Sequence, residues 1–160
     1  MSEEVKFSLD EAHLEFAKKT NGEVWALLEK TDRTADEDEA MEYAAYTSLY
    51  HWLRVGTEVN HQRGEWMLAH VYTILGRDEL ALKHAYRCLN LTEANKGQME
   101  DFDIAYAYEG VARAEALVGN QSEAVKYRQM AIEAGEAVED EESRNIFTAD
   151  LEGGDWYGVS

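Results

Sequence analysis

The sequence predicts an all-α fold, and three observations carry that expectation. Proline is absent from all 160 residues, so no ring removes a backbone donor inside a helix. Apolar residues recur at three- and four-residue spacing in one segment after another. No stretch of useful length alternates apolar and polar residues as a half-buried strand does. About six or seven helices, paired as antiparallel hairpins, account for the chain.

The first helix is expected to begin near Leu9 and to carry Leu9, Ala12, Phe16, Val24, Leu27 and Leu28. Asn21-Gly22 either breaks it or is tolerated at a cost of about 1 kcal/mol. Thr31–Thr34 reads as a loop, and Thr34 caps a second helix whose first turn is acidic (Asp36, Glu37, Asp38), as the helix dipole favours. Its stripe is Met41, Ala45, Ser48, Leu49 and Trp52, and Gly56-Thr57 ends it. The third helix runs from about Glu58 to Leu75, with Leu68, Val71, Tyr72 and Leu75 on one face, and Gly76 stops it. The fourth, about Asp78 to Asn95, packs Ala81, Leu82, Ala85, Cys88 and Leu89. After the loop Lys96-Gly97-Gln98, a fifth helix spans about Phe102 to Val118, ending at Gly119. A sixth spans about Ser122 to Val138 with Ala124, Val125, Ala131 and Ile132. A seventh covers about Glu141 to Leu151. The expected organisation is one domain over residues 1–152, with hairpins at about 9–53, 58–95 and 102–138, a capping helix at about 141–151 and a tail at 153–160. Trp156 and Tyr157 in that tail are expected to fold back onto the last helix.

A shift of 43 residues superposes Gly76 on Gly119 and Ala81 on Ala124. It also matches Leu68 with Val111, Ala69 with Ala112, Leu75 with Val118, Leu82 with Val125 and Leu89 with Ile132. One unit is thus used twice: a helix, a glycine turn, and a second helix with a small residue five positions after the glycine. This unit resembles the tetratricopeptide repeat over about Asn60 to Val138, and the chain is similar to short bacterial proteins of that helical-repeat type. Ala69 and Ala112 match the small residue of the family's first helix, Gly76 and Gly119 its turn glycine, and Tyr72 its tyrosine. Departures are the period of 43 against a usual one of about 34, Glu115 in place of the second tyrosine, Glu65 and Tyr108 in place of the early tryptophan, and the missing proline. The resemblance implies hairpins stacked in a right-handed superhelix. About three units are needed to bury a continuous core, so the pair from Leu9 to Trp52 would be the third.

Composition narrows the function classes. The apolar fraction is 45%, as in ordinary globular domains. No apolar run approaches the roughly 18–20 residues that cross a bilayer, and Met1-Ser2-Glu3-Glu4 lacks the basic and apolar regions of a secretory signal. The formal charge of −18 opposes nucleic-acid backbones and anionic membranes, leaving solubility or a preference for basic partners. The single cysteine, Cys88, cannot form an internal disulfide, which fits a cytoplasmic, reducing location. Its place on an apolar face makes it a small core residue.

Two residue sets are candidate sites. In the repeat family the first helix of each hairpin lines a concave groove. By register this selects Arg63, Trp66, His70 and Thr73 on the third helix and Tyr106, Glu109, Arg113 and Ala116 on the fifth, with Asn60 and Asp103 one turn earlier. Each set follows i, i+3, i+7 spacing and so forms one face. Arginine grips carboxylates with paired hydrogen bonds and large aromatics supply rigid contact area. Such a groove suits an acidic or C-terminal peptide; alternatively Glu109 and Arg113 pair within the helix. The first functional expectation is therefore a non-enzymatic adaptor that presents this groove to a peptide or protein partner. The alternative is a small-molecule-binding or enzymatic pocket between the second, third and fifth helices, lined by Tyr50, His51, Arg63, Glu65 and Asp103. The stripe Tyr43, Tyr46 and Tyr50 packs on a neighbouring helix or on a second subunit, so a homo-oligomer is a third reading.

Catalytic signatures are weak. Glu58-x-x-His61, with Glu65 one turn on, has the spacing of carboxylate-bridged di-iron bundles, and Asp10-Glu11-Ala12-His13 places another carboxylate at the same distance from a histidine. Such sites need a second Glu-x-x-His from another helix, and with 33 acidic residues and five histidines chance matches are expected. There is no phosphate loop, nucleophile elbow or paired-cysteine zinc motif. No catalytic residue, metal ligand or cofactor is assigned. His51, His70 and His84 read as surface or half-buried polar residues, and the acidic clusters 36–39 and 139–142 as solvated helix starts.

Overall fold

The computed structural model of the chain describes residues 3–160. Among these residues the chain forms seven α-helices and no strand: α1 (Leu9–Leu28), α2 (Ala35–Val55), α3 (Glu58–Ile74), α4 (Asp78–Ala94), α5 (Asp101–Val118), α6 (Gln121–Glu136) and α7 (Glu141–Glu152), with a 3-10 turn at Lys96–Gln98. No helix among them is long and apolar enough to cross a membrane.

Most helix starts have a local cause. Ser8 Oγ accepts the Glu11 N–H at 3.1 Å, and Asp140 Oδ2 accepts the Ser143 N–H at 2.8 Å. Thr34 and Glu37 form a reciprocal pair, each side chain accepting the other's backbone N–H, so both orphan donors are satisfied. At α3 and α5 the third helical residue reaches back instead. Asn60 Oδ1 accepts the Thr57 N–H and Asp103 Oδ2 the Glu100 N–H, both at 3.0 Å. Asn60 and Asp103 stand 43 residues apart, so the repeat extends to its caps.

The repeat also closes its helices alike. Gly76 and Gly119 adopt φ of +71° and +90°, a left-handed conformation open to glycine without a Cβ penalty. In each case the next residue's N–H returns to a helix carbonyl: Arg77 to Tyr72 at 2.9 Å, Asn120 to Glu115 at 3.0 Å. This double turn ends a helix and sends the chain back along it.

Helix α1 passes through Asn21-Gly22 without interruption. Its buried line is Ala17 and Val24, whereas Leu9 and Phe16, expected on the core stripe, are exposed. The i, i+7 pair Ala17 and Val24 sets the face toward α2, and Leu9 and Phe16 fall beside it. Val125 on α6, also expected on the core face, is exposed, while Ala124 and Ala131 are buried.

Neighbouring helices run antiparallel. Ser48 Oγ donates to the Ala17 carbonyl and His51 meets His13; Tyr72 reaches Glu42, and Leu49 packs on Gly64. Helices α3 and α5 run parallel, with Arg63 on Asp103 and Trp66 against Glu109 and Gly110. The main core joins α1 to α5 through Val24, Met41, Leu49, Leu68, Val71, Tyr72, Ala85, Leu89 and Val111. A second cluster seats Phe147 and Leu151 of α7 on Ala105 and Ala131. The tail does fold back, and farther than the last helix: Val159 packs with Ala116 and Ala124, and the Tyr157 hydroxyl donates to the Thr73 carbonyl at 3.0 Å.

Docking of α7 depends on an absent side chain. A Cβ on Gly135 would lie 2.3 Å from Phe147 Cε1 and 2.5 Å from Cδ1, and the buried Phe147 ring already meets Tyr106 edge-on at 4.8 Å. Gly135→Ala is therefore expected to cost about 1–3 kcal/mol through overpacking. Urea unfolding reads the loss, and amide exchange should place it in α7; unchanged stability would show that the ring has room to move.

Candidate functional site

The parallel pair α3 and α5 brings together the faces that the sequence set apart. Trp66 is the centre. Its indole lies over Gly110, where an added Cβ would stand 3.2 Å from Cδ1, and Nε1 donates to Glu109 Oε2 at 3.1 Å. His70, one turn on, stacks on Trp66 with centroids 4.8 Å apart and planes at 11°. Tyr106 meets the same indole edge-on at 5.4 Å. From α1, Trp25 stacks on Trp66 with centroids 6.3 Å apart.

Two ion pairs frame this aromatic column. Arg63 Nε and Nη2 donate to the two oxygens of Asp103 at 2.8 and 3.0 Å. Asp103 is buried while the Arg63 side chain keeps 47% exposure, and Asp103 raises the guanidinium pKa further. Such a two-point grip is the strong form of the pair. On the other side Arg113 Nε donates to Glu109 Oε1 at 2.7 Å, both groups buried. Burial pushes the Glu109 carboxyl up, opposed by Arg113 and the Trp66 N–H.

The remaining N–H groups of Arg113 hold the chain's own C-terminal segment. Nη2 donates to the carbonyls of Asp150, Leu151 and Gly153, and Nη1 to that of Asp155, at 2.7–3.2 Å. Trp156 meets the guanidinium at 4.1 Å and that of Arg128 at 4.9 Å from its ring centroid. Gly154 has φ +70°, and a Cβ there would come within 2.8 Å of Arg113 Nη1.

What remains open is a cavity of about 280 Å³ lined by Asn21, Trp25, Gln62, Arg63, Trp66, Met67, Phe102, Asp103, Tyr106 and Asp150. A neighbouring cavity of about 220 Å³ lies past the Trp25–Trp66 pair against His70, Glu109, Arg113 and the α7 end. A third, about 180 Å³, is reached past Asn21, Arg63 and Met67 toward Ser48, Trp52 and Asn60. In the first cavity Gln62 is fully buried. Its Nε2 donates to Thr92 Oγ1 and to the Asp103 carbonyl at 3.1 and 3.0 Å, and its Oε1 has no partner. A flipped amide would set an oxygen against the Asp103 carbonyl, so the assignment follows from the network. A buried acceptor without a donor costs about 1–3 kcal/mol. Tyr106 donates to the Asp150 carboxylate; burial and that bond raise its pKa. His70 is pulled down to about 4, first by burial and then by Arg113, with Asp150 opposing.

The structure thus assembles Arg63, Trp66, His70, Asp103, Tyr106, Glu109 and Arg113 around one column, with Asn60 at its outer end. Thr73 is buried beneath the tail, its hydroxyl bonded to the Ala69 carbonyl. The alternative set divides. Arg63 and Asp103 line the cavity, but Tyr50 and His51 stand at the α1–α2 face, where His51 Nδ1 lies 2.7 Å from His13 Nδ1. Glu65 turns into the core, bonded to His84 Nδ1 at 2.6 Å, and His84 Nε2 meets the Tyr46 hydroxyl at 2.9 Å. His84 is fully buried, contrary to its reading as a surface or half-buried residue, because Glu65 and Tyr46 satisfy both ring nitrogens. His61 stays with Glu58 at the start of α3, 3.7 Å apart. All three tyrosines of the stripe, Tyr43, Tyr46 and Tyr50, remain exposed on the α2 surface, Tyr46 the least. Sequence reasoning missed Asn21, Trp25, Gln62, Met67, Phe102 and Asp150. The one available signal was Asn21 and Trp25 lying one helical turn apart. Comparison with protein-family models, with curated proteins and with solved structures finds no match to this chain.

Proposed function

We propose that the face where α1, α3, α5 and α7 meet is a binding pocket for a small molecule. One observation carries this reading: a cavity of about 280 Å³ with aromatic walls and a buried acceptor, Gln62 Oε1, that the protein leaves without a donor. The size lies just below the range of drug-sized ligand sites, roughly 300–1,000 Å³ with mostly apolar walls and a few placed polar groups, and so suits a small ligand. A donor on the ligand would meet Gln62. The hairpin register and the 43-residue shift support a tetratricopeptide-like arrangement, in which the first helices of the hairpins face the ligand.

A second reading, an adaptor for an extended peptide, is favoured by the adjacency of the three cavities: the first shares Trp25, Trp66 and Asp150 with the second, and Asn21, Arg63 and Met67 with the third. It meets an obstacle in Arg113, whose donors already hold the tail, so a peptide carboxylate would have to displace four carbonyls.

A thermal-shift screen of metabolites, followed by calorimetry on the hits, tests the pocket reading. Trp25→Ala is the matched variant, since Trp25 is 44% exposed and contributes more to the cavity than to the core. A hit should bind wild type about tenfold more tightly than the variant, the value of one lost aromatic wall. Hits indifferent to Trp25, or none from a broad library, would overturn the pocket reading.

A further inference from the structure

We propose that the ligand of this pocket is a small organic ammonium ion that also carries a hydrogen-bond donor, an inference that rests on the pocket reading above. The charges at the site point to the sign. Arg63 is engaged by Asp103 through two nitrogens, and Arg113 by Glu109 and the tail carbonyls, so each pair is internally neutral. Asp150 differs: its carboxylate accepts the Tyr106 hydroxyl and has no cationic partner among the described residues. Lysine is absent from the lining of the first two cavities, and His70 is held neutral at physiological pH. The site therefore carries one uncompensated negative charge and no free cation to hold an anion.

The walls point to the same class. Trp25, Trp66, Phe102 and Tyr106 contribute four aromatic rings to one cavity. Aromatic faces attract cations by their quadrupole, most strongly where water is excluded, and rings set around a carboxylate are how alkylammonium groups are held. The protein already uses this contact with its own cations: Arg63 lies 5.3 Å from the Phe102 centroid and Arg113 4.1 Å from that of Trp156. Gln62, on the wall of the same cavity, keeps Oε1 buried and without a donor, a demand that one O–H or N–H on the ligand would meet. The small volume, about 280 Å³, favours a free metabolite over a long chain.

Three probes separate these elements by calorimetry: choline, which has charge and hydroxyl; 3,3-dimethylbutan-1-ol, its neutral isostere; and tetramethylammonium, which has charge alone. Choline should bind most tightly, with the neutral isostere weaker by about tenfold, in keeping with a partly desolvated cation–aromatic contact. Asp150→Asn, at an exposed position, should erase the preference for charge while leaving the unfolding curve unchanged. Equal binding of choline and its isostere, or no binding of either cation, overturns the ammonium assignment. A neutral or anionic hit in the metabolite screen that depends on Trp25 would overturn it too and leave the pocket reading standing. If the screen also gives nothing, both fall. A trimethyl-lysine peptide that binds more tightly than choline supports the ammonium chemistry and transfers its source to a partner's side chain.

Discussion

Replacing Arg113 by alanine is expected to destabilise the protein by about 3–5 kcal/mol, the usual cost of removing one member of a buried ion pair. Two losses combine. Glu109 would keep a buried carboxylate with the Trp66 N–H as its one remaining donor, and the carbonyls of Asp150, Leu151, Gly153 and Asp155 would lose the guanidinium that gathers them. Urea unfolding measures the total, and amide exchange over residues 150–159 measures release of the tail. The double variant Arg113→Ala/Glu109→Gln divides the total: it removes the stranded charge but does not restore the tail, so it should recover part of the stability and none of the protection. Acidity provides a second check. Burial already raises the Glu109 carboxyl, and without Arg113 it rises further. A folded state that holds a proton more tightly than the unfolded chain gains stability as pH falls, so the deficit of Arg113→Ala should be smaller at about pH 5 than at pH 8. A loss below about 1 kcal/mol at neutral pH, within the range of surface pairs, would refute the central role given to this residue.

Arg113 also shows where sequence reasoning reached and where it stopped. Helix ends were legible because their causes are local: Thr34 and Glu37 are three residues apart, and Gly76 and Gly119 end helices by their own φ. The meeting of Trp66 with Tyr106 and Glu109 was legible through the 43-residue shift, because parallel helices carrying equivalent faces bring equivalent positions close. The function of Arg113 was hidden, since its acceptors lie 37–42 residues later on backbone carbonyls, which any sequence supplies. Trp25 and Asp150 reach the cavity only after α1 and α7 have packed. His84 looks polar in isolation, and its burial depends on partners 19 and 38 residues away. The carboxylates that work inside the molecule, Glu65, Asp103, Glu109 and Glu115, could not be told from the rest of an acidic chain by type. What distinguishes them is a donor on another helix, joined for Glu109 by Arg113 a turn away on its own.

His70 makes the site sensitive to acid. Its pKa falls from an ordinary 6.5 to about 4 because the half-buried ring loses solvent where it stacks on Trp66 and stands near the Arg113 charge, with Asp150 a weaker opposing influence. The unfolded chain takes up a proton near pH 6.5 and the folded protein does not until about pH 4. Stability is therefore complete above the higher value and lost progressively through that window, by up to roughly 3 kcal/mol for a shift of this size. Glu109 acts in the opposite sense over part of the range, and carboxylates held low by caps, such as Asp140, add losses at still lower pH. The difference between wild type and His70→Asn isolates the histidine: the variant is expected to lose less stability than wild type between pH 6.5 and 4, and to match its slope elsewhere. Unfolding free energies at four or five pH values decide this, and parallel curves for the two proteins would mean that water reaches the ring. Because His70 stacks on the tryptophan that walls both cavities and stands beside the guanidinium that fastens the tail, its protonation sets a like charge against Arg113. Loosening at low pH should therefore begin at α7 and the tail, where exchange protection would fall before the α2–α4 core, whose His84 is buried between Glu65 and Tyr46, gives way.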